Sequence, residues 1–385
     1  RLYLSPTPDQ IGAANVPRPE IDEDGQIATN PRWFSPPAYG LTKFSELFTN
    51  RQLVAMTTLS DLVAEVREQV LVDAVIAGMP EGDRLEVGGF EAQAYADAIA
   101  TYLAFAVSKL SNNCSSLTSW MNDRGAFRET FSRQALPMLW DFAEANPLGD
   151  FGGAFTFCLK KGSEMLRKIA GECEGLVDQA SALARNYSGY VVSTDPPYYD
   201  NIGYSDLSDY FYVWMRRSLL AIHSGIVSTM LTPKSDELVA NPYRHDGRRG
   251  AESFFIDGFN SVFRRIRQGG NSSLPITIYY AYKQQDAGVD GSSSTGWHTL
   301  LSGLNQAGWE ITATWPMRTE GKGRILAKDT NALASSIVLA CRPRPVDADS
   351  ITRRLFVARL KSELPEALRT LMQGAIAPVD LAQAA

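Results

Sequence analysis

The chain has 385 residues, 44% of them hydrophobic and 21% charged, with a formal net charge of −6; this is the composition of an ordinary globular protein with room for two or three average domains. No apolar run approaches the roughly 18 residues needed to span a bilayer, which excludes an integral helical membrane protein. The 4 cysteines are scattered without a CxxC pair and there are only 3 histidines, which argues against a disulfide scaffold and against a metal centre, so a reducing cytoplasm is the expected setting.

Residues 1–43 are proline-rich and lack periodicity, so they read as an extended arm or wrapping segment. The first residue is Arg1, and the text reads as a piece of a longer chain. Within the arm, Ser35-Pro36-Pro37-Ala38-Tyr39 reads as a polyproline segment. Residues 44–150 read as a helical module. Asn50 is positioned to cap a helix whose apolar stripe is Leu53, Leu59, Leu62, Val63, Val66 and Val70. A second helix over 92–110 carries Tyr95, Ile99, Tyr102, Leu103, Ala106 and Leu110 at similar spacing. A third is expected over 124–145, ended or kinked at Pro137.

Beyond Asn146-Pro147 the pattern alternates. A helix over 155–170 precedes a short strand, Gly175-Leu176-Val177, and a second strand, Gly189-Tyr190-Val191-Val192, leads into Ser193-Thr194. A helix over 206–222 turns Leu207, Phe211, Trp214, Met215 and Leu219 inward. The aromatic run Tyr210, Phe211, Tyr212 and Trp214 reads mostly as core. A helix over 251–267, a strand over 275–282, a helix over 296–307 and strands over 309–316 and 335–341 follow. This alternation implies an α/β fold with a doubly wound, mostly parallel sheet over 151–345 and an antiparallel pair at its edge. Residues 346–385 read as a helical tail.

The stretch 191–219, VVSTDPPYYDNIGYSDLSDYFYVWMRRSL, carries the chemistry. An apolar strand ends directly in Asp195-Pro196-Pro197-Tyr198, at the carboxyl edge of the sheet, where open α/β sheets bind ligands. Two prolines fix φ and remove two N–H donors, leaving only carbonyl acceptors on that backbone. Such a loop suits a planar substrate bearing an amino group. The Asp195 carboxylate and the Pro196 carbonyl can each accept one N–H of an exocyclic amine, and Tyr198 can stack on an extruded base. Tyr199, Asp200, Asn201 and Tyr204 serve either the substrate or the ordinary loop and N-cap needs of the next helix. Cys158, Cys173 and Cys341 read as small buried apolar residues.

Asp195-Pro196-Pro197-Tyr198 at a strand end is similar to the catalytic motif of S-adenosylmethionine-dependent amino-methyltransferases acting on nucleic acids. The longer text 195–219, together with NPRWFSPPAYGL, FSRQALPMLWDFAEANP, TWPMRTE and NALASSIVLACRPRP, resembles the large bacterial and archaeal adenine-specific DNA methylases, along nearly the whole chain. The resemblance implies a Rossmann-like class I methyltransferase domain, with the helical module inserted ahead of its catalytic half. It also implies methyl transfer from S-adenosylmethionine to N6 of adenine in DNA, with Asp195, Pro196, Pro197 and Tyr198 catalytic. DNA, and further subunits of a restriction-modification or defence system, are the implied partners. RNA or cytosine N4 as target, or a catalytically silent nucleic-acid-binding subunit, remain alternatives. The chain departs from the family in lacking its D-x-F-x-G-x-G turn and the acidic residue ending the next strand. Gly88-Gly89 and Gly152-Gly153 lack the required spacing, and the chain therefore resembles the carboxyl-terminal portion of such an enzyme. Ser181, in Gln179-Ala180-Ser181-Ala182, stands where the family has an acidic cofactor-binding residue, and Asp195 also borders that site.

Charge is uneven. Residues 210–330 hold 14 basic and 10 acidic side chains against the net −6 of the whole chain. Arg216, Arg217, Arg244, Arg248, Arg249, Arg264, Arg265, Arg267, Arg318, Lys322, Arg324 and Lys328 fall after the Asp195 strand, as either a phosphate-contacting rim or solvated surface. The loop Glu320-Gly321-Lys322-Gly323-Arg324 is the expected backbone clamp, with Lys322 and Arg324 as substrate contacts.

Overall fold

The computed structural model describes residues 4–22, 24–169, 171, 175–199, 202–280, 295–318 and 335–373. In chain order the elements are α1 (Pro8–Ala14), α2 (Asn50–Ile76), α3 (Ala92–Ser111), β1 (Ser119–Met121), β2 (Ala126–Arg128), α4 (Phe155–Leu166) and β3 (Ser193–Thr194). They continue with α5 (Tyr204–Leu219), α6 (Ser224–Val227), α7 (Gly247–Gly269), β4 (Ile276–Tyr280), α8 (Thr295–Gln306), β5 (Trp309–Arg318), β6 (Ser335–Pro343) and α9 (Arg353–Gln373). The chain divides into two compact units, Arg1–Gln179 with Gly203–Glu237, and Ala180–Ile202 with Leu238–Ala385. No described helix is long and apolar enough to cross a membrane.

The first unit is helical. Thr49, rather than Asn50, caps α2: its hydroxyl accepts from the Gln52 N–H at 3.2 Å, while the Gln52 side chain accepts from the Thr49 N–H at 2.9 Å, closing a capping box. The stripe that α2 buries is Leu53, Met56, Thr57, Ser60 and Val63, whereas Leu62 and Val66 are exposed. Thr57 and Ser60 tolerate burial because their hydroxyls each donate to a carbonyl one turn back, both at 2.8 Å. On α3 the buried face is Ala92, Ala96, Ala100, Ala104, Val107 and Leu110, while Tyr95 and Tyr102 face solvent. Small residues let the helix backbones approach, so the large apolar side chains that suggest a core from the sequence lie outside it. Asp97 on α3 is fully buried and ties this unit together. Its carboxylate takes Arg67 Nε at 2.6 Å, Arg84 Nε at 3.3 Å and the Leu85 N–H at 3.1 Å.

The helix expected over 124–145 is absent. Instead β1 and β2 form an antiparallel hairpin pairing Ser119 with Arg128. The chain beyond it is irregular, with Leu136 donating to the Trp33 carbonyl at 2.7 Å and accepting from the Ser35 N–H at 3.1 Å. Pro137 would cost a helix one backbone hydrogen bond, and the preceding residue is tied to the arm instead. The arm does wrap this unit, burying Trp33, Phe34 and Phe44. It is not uniformly extended: α1 lies within it, and Pro36–Tyr39 forms a 3₁₀ turn rather than polyproline. On α5, Tyr210 and Trp214 are buried against Phe48 as expected of core, and the Tyr210 hydroxyl donates to the Ser111 carbonyl at 2.7 Å.

The second unit is α/β, with a four-stranded sheet in the order β3-β4-β6-β5. β3 pairs parallel with β4, and β6 lies antiparallel between β4 and β5. Three strands therefore share a direction, but only one pairing is parallel. The β5–β6 pair is antiparallel as expected, with β5 at the edge and β6 inside. Ile337, Val338, Leu339, Ala340 and Cys341 are accordingly all buried, the continuous apolar run of a strand covered on both faces. Phe255, Phe259, Phe263 and Ile266 of α7 and Leu300 and Leu304 of α8 pack on Ile276, Ile278 and Tyr280 of β4. Both helices thus cover the face that carries Ile276, Ile278 and Tyr280. The strand expected at Gly175-Leu176-Val177 does not form; Leu176 and Val177 are 90% and 98% exposed. Residues 189–192 are not a regular strand either, although the Val192 carbonyl still accepts from the Thr277 N–H at 3.0 Å.

Candidate functional site

The parallel β3–β4 pairing puts the carboxyl ends of both strands side by side, Thr194 beside Ile278. Asp195 follows β3 directly and its side chain is exposed. The Tyr198 hydroxyl donates to Asp195 Oδ1 at 3.1 Å, and this is the one described bond to that carboxylate, so most of its acceptor capacity faces outward. Pro196, Pro197, Tyr198 and Tyr199 are half-buried. The Tyr198 ring stands edge-on to Tyr280, the last residue of β4, with centroids 5.3 Å apart and planes at 79°. Tyr280 in turn leans on Trp297 of α8, with centroids 5.9 Å apart. Tyr280 is itself buried, so it anchors the half-buried Tyr198 ring to the core.

The loop is held from behind through Tyr199. Its backbone adopts φ 21°, a sparsely allowed value for a side chain-bearing residue. Its carbonyl accepts from the Ala240 N–H at 2.9 Å, and its ring packs edge-on against Phe255 of α7 at 5.1 Å. Gly296 fits closely here: a Cβ at that position would lie 3.0 Å from Tyr199 Cβ and 3.2 Å from the Tyr280 hydroxyl.

Asp195, Pro196, Pro197, Tyr198 and Tyr199 are consecutive in the sequence and directly follow β3. Tyr204 belongs to the first unit, where it opens α5. Asn201, Lys322 and Arg324 lie outside the described residues, as do Asp200 and Cys173. Ser181 caps a local turn, its hydroxyl accepting from the Leu183 N–H at 3.3 Å. The residues next along the chain, Ala184 and Arg185, give their carbonyls to Arg265 in the carboxyl-terminal half of α7. That half of α7 passes the residues before β3, since Gly269 neighbours Tyr187, so Ser181 is not drawn to Asp195. The glycine pairs have other work. A Cβ on Gly89 would strike the Asp83 carbonyl at 2.0 Å, and one on Gly153 would meet the Asn113 side chain at 2.6 Å; both serve turns of the first unit. Tyr280 and Trp297 are the residues that sequence reasoning missed. Their signal was positional: the end of the next parallel strand and the first turn of the next helix.

Elsewhere the titratable groups are structural. Burial pushes the Cys114 and Cys341 thiols up to about 12 and raises Cys158, so the described cysteines are inert core. His245 stacks on Phe254 at 3.9 Å; burial and then the neighbouring Arg244 lower its pKa. Among the described residues no three His, Cys, Asp or Glu side chains are grouped to hold a metal ion. No protein-family model, curated protein or solved structure matches the chain.

Proposed function

We propose that the second unit is the base-holding wall of an amino-methyltransferase acting on N6 of adenine in DNA. The observation that carries this reading is the Asp195 carboxylate, exposed at the carboxyl end of β3 and bonded by Tyr198, whose ring stands edge-on to Tyr280. The exocyclic amine of adenine is a weak nucleophile because its lone pair is delocalised into the ring. In the proposed arrangement Asp195 and the Pro196 carbonyl each accept one N–H. Two such bonds favour a pyramidal nitrogen and free its lone pair, a fixed-dipole effect that needs no strong base. The half-buried Tyr198 ring suits the face of a base taken out of the stack. The antiparallel β5–β6 pair beside two parallel strands, and the resemblance of 195–219 to adenine-specific methylases, support a Rossmann-like class I domain.

S-adenosylmethionine is the methyl donor that the resemblance implies, and the described residues do not fit it. Ser181 stands away from Asp195, neither glycine pair follows a strand of the sheet, and no carboxylate ends a neighbouring strand in a ribose-binding position. The residues described here account for holding the base alone.

The test reads base recognition directly. Oligonucleotides carrying one unpaired adenine, or purine without the amine in its place, are titrated against the protein. The expected result is a preference for adenine of about tenfold or more, since a hydrogen bond to a charged group contributes about 1.5–3 kcal/mol. Asp195→Ala should abolish it. An unaltered protein that binds both alike, or a preference that survives Asp195→Ala, overturns the assignment. A preference for cytosine over its deaminated form would move the target to N4.

A further inference from the structure

The segment 238–250, whose Ala240 holds the Tyr199 carbonyl, leads into the first turn of α7 beside the Asp195 loop. Ala240 is bonded to the Tyr199 carbonyl at 2.9 Å. Tyr243 follows three residues later, so its backbone lies within about 11 Å of that bond, and its side chain is 66% exposed. α7 runs antiparallel to β3: Phe255 near its start packs on Tyr199, beyond the strand, whereas Gly269 at its end neighbours Tyr187, before the strand. The first turn of α7 is therefore at the same sheet edge as Asp195. Arg248, Ala251 and Phe255 share one helix face at i, i+3 and i+7 spacing. Ala251 and Phe255 are buried, and Arg248 continues their stripe where the core ends. It lies about 10 Å up the axis from the Tyr199–Phe255 contact. Arg249 beside it is also exposed, and neither makes an ion pair among the described residues. The carboxylates adjoining in sequence are Asp246 and Glu252.

The segment is firmly built. The Asn241 side chain accepts from the Tyr243 N–H at 3.0 Å, the Arg244 N–H donates to the Asn241 carbonyl at 3.1 Å, and His245 stacks on Phe254. Two exposed guanidinium groups and an exposed ring are thus carried on backbone that runs from the Ala240 bond behind the Asp195 loop into the first turn of α7. Guanidinium is the side chain best matched to phosphate, and base–aromatic stacking tolerates any sequence.

We infer that Arg248 and Arg249 grip the phosphates flanking the base offered to Asp195, with Tyr243 stacking on a neighbouring base. This rests on the reading of Asp195 as a base-holding group, and it assigns the backbone of a nucleic-acid strand to a second, separate set of residues. The contact is sequence-independent, and it governs affinity and salt dependence rather than base choice.

The experiment titrates labelled DNA, and RNA of the same sequence, against the unaltered protein, Arg248→Gln/Arg249→Gln, Tyr243→Ala and Tyr243→Phe at 50 and 200 mM salt. Losing two phosphate contacts on duplex DNA should lower the salt slope by about 1.8, so the affinity ratio between the two salts shrinks about tenfold. Tyr243→Ala should weaken binding about tenfold at both salts while Tyr243→Phe stays near the unaltered value. An unchanged salt slope in the double variant overturns the grip, and equal binding by Tyr243→Ala and Tyr243→Phe overturns the stacking. An unaltered protein that binds neither nucleic acid overturns both. Equal Arg dependence on DNA and RNA assigns the shared phosphate chemistry, whereas dependence on one alone names the partner. A protein whose salt slope depends on the two arginines but which does not distinguish adenine from purine keeps the grip and loses the Asp195 reading.

Discussion

Tyr198 joins two contacts in one side chain, and they can be separated. Tyr198→Phe removes only the hydroxyl that donates to Asp195, a net loss of about 0.5–1.5 kcal/mol for one hydrogen bond. Tyr198→Ala also removes the ring edge against Tyr280 and, on the proposed reading, base stacking worth about 1–3 kcal/mol. Titration with the unpaired-adenine oligonucleotide should therefore rank the unaltered protein above Phe and Phe well above Ala. Equal loss in the two variants would move the role from the ring to the hydroxyl. Thiol reactivity offers a second residue-level check. Cys114, Cys158 and Cys341 are buried, and burial holds them as protonated thiols, so an alkylating reagent at pH 8 should label at most one cysteine quickly, Cys173. All four should react in urea. Rapid labelling of two or more in the native protein would contradict the packing around them.

Among the elements, α2 and α3 depend on a buried charge as well as on apolar contact. Arg67 of α2 and Arg84 of the connection to α3 both reach Asp97. Asp97→Asn keeps the shape and removes the charge, and breaking a buried pair costs about 3–5 kcal/mol, to be read by denaturant unfolding of the helical signal. Burial alone would raise the Asp97 pKa, but hydrogen bonds from Arg67, Arg84 and the Leu85 N–H bring it below the ordinary 3.8. As pH falls, the unfolded chain takes up that proton before the folded one. Asp97 thus contributes fully above about pH 5 and its contribution fades as pH falls through the native pKa. In Asp97→Asn the acid limb of the stability profile should be shallower, and an unchanged limb would remove Asp97 from that role. The long helices and the strands β4, β5 and β6 were legible from periodicity, usually to within a few residues at either end. What was not legible was which face turns inward: alanine on α3 outcompeted tyrosine because close helix approach rewards the small residue. The expected helix over 124–145 failed for a long-range reason too, since the Leu136 backbone is bonded to Trp33 and Ser35, far away in sequence. Asp195 to Tyr198 could be found because strand and turn adjoin in the sequence. Tyr280 and Trp297 could not, because strand pairing and helix packing bring them there.

At the scale of the whole molecule, the residues proposed to face a base gather in one unit while the described residues offer no set for a nucleoside methyl donor. Losing two charged hydrogen bonds, at about 1.5–3 kcal/mol each, weakens such a ligand by about two to four decades. Calorimetric titration of the 385-residue chain with S-adenosylmethionine should accordingly give no micromolar binding, and methyl incorporation into DNA should be undetectable. Micromolar binding would mean that residues other than Ser181 and the two glycine pairs form a donor site in this chain.

The interleaving of the two units governs how the chain can be made. Residues 203–237 belong with the helices translated before them, while 180–202 belong with strands translated after. On a ribosome adding about 5–20 residues per second, Ser193 waits about 4–17 s for its partner Thr277, 84 residues downstream. During that interval the helical unit completes itself with α5, and the Asp195 loop hangs between a finished body and an unmade one. The nascent β3 and the residues before it, with Tyr190 and Val191 exposed even in the final fold, are open to the wrong partner throughout. Slowing translation between these two points should lengthen that exposure and lower the yield of soluble chain, whereas the same pause placed after residue 280 should not.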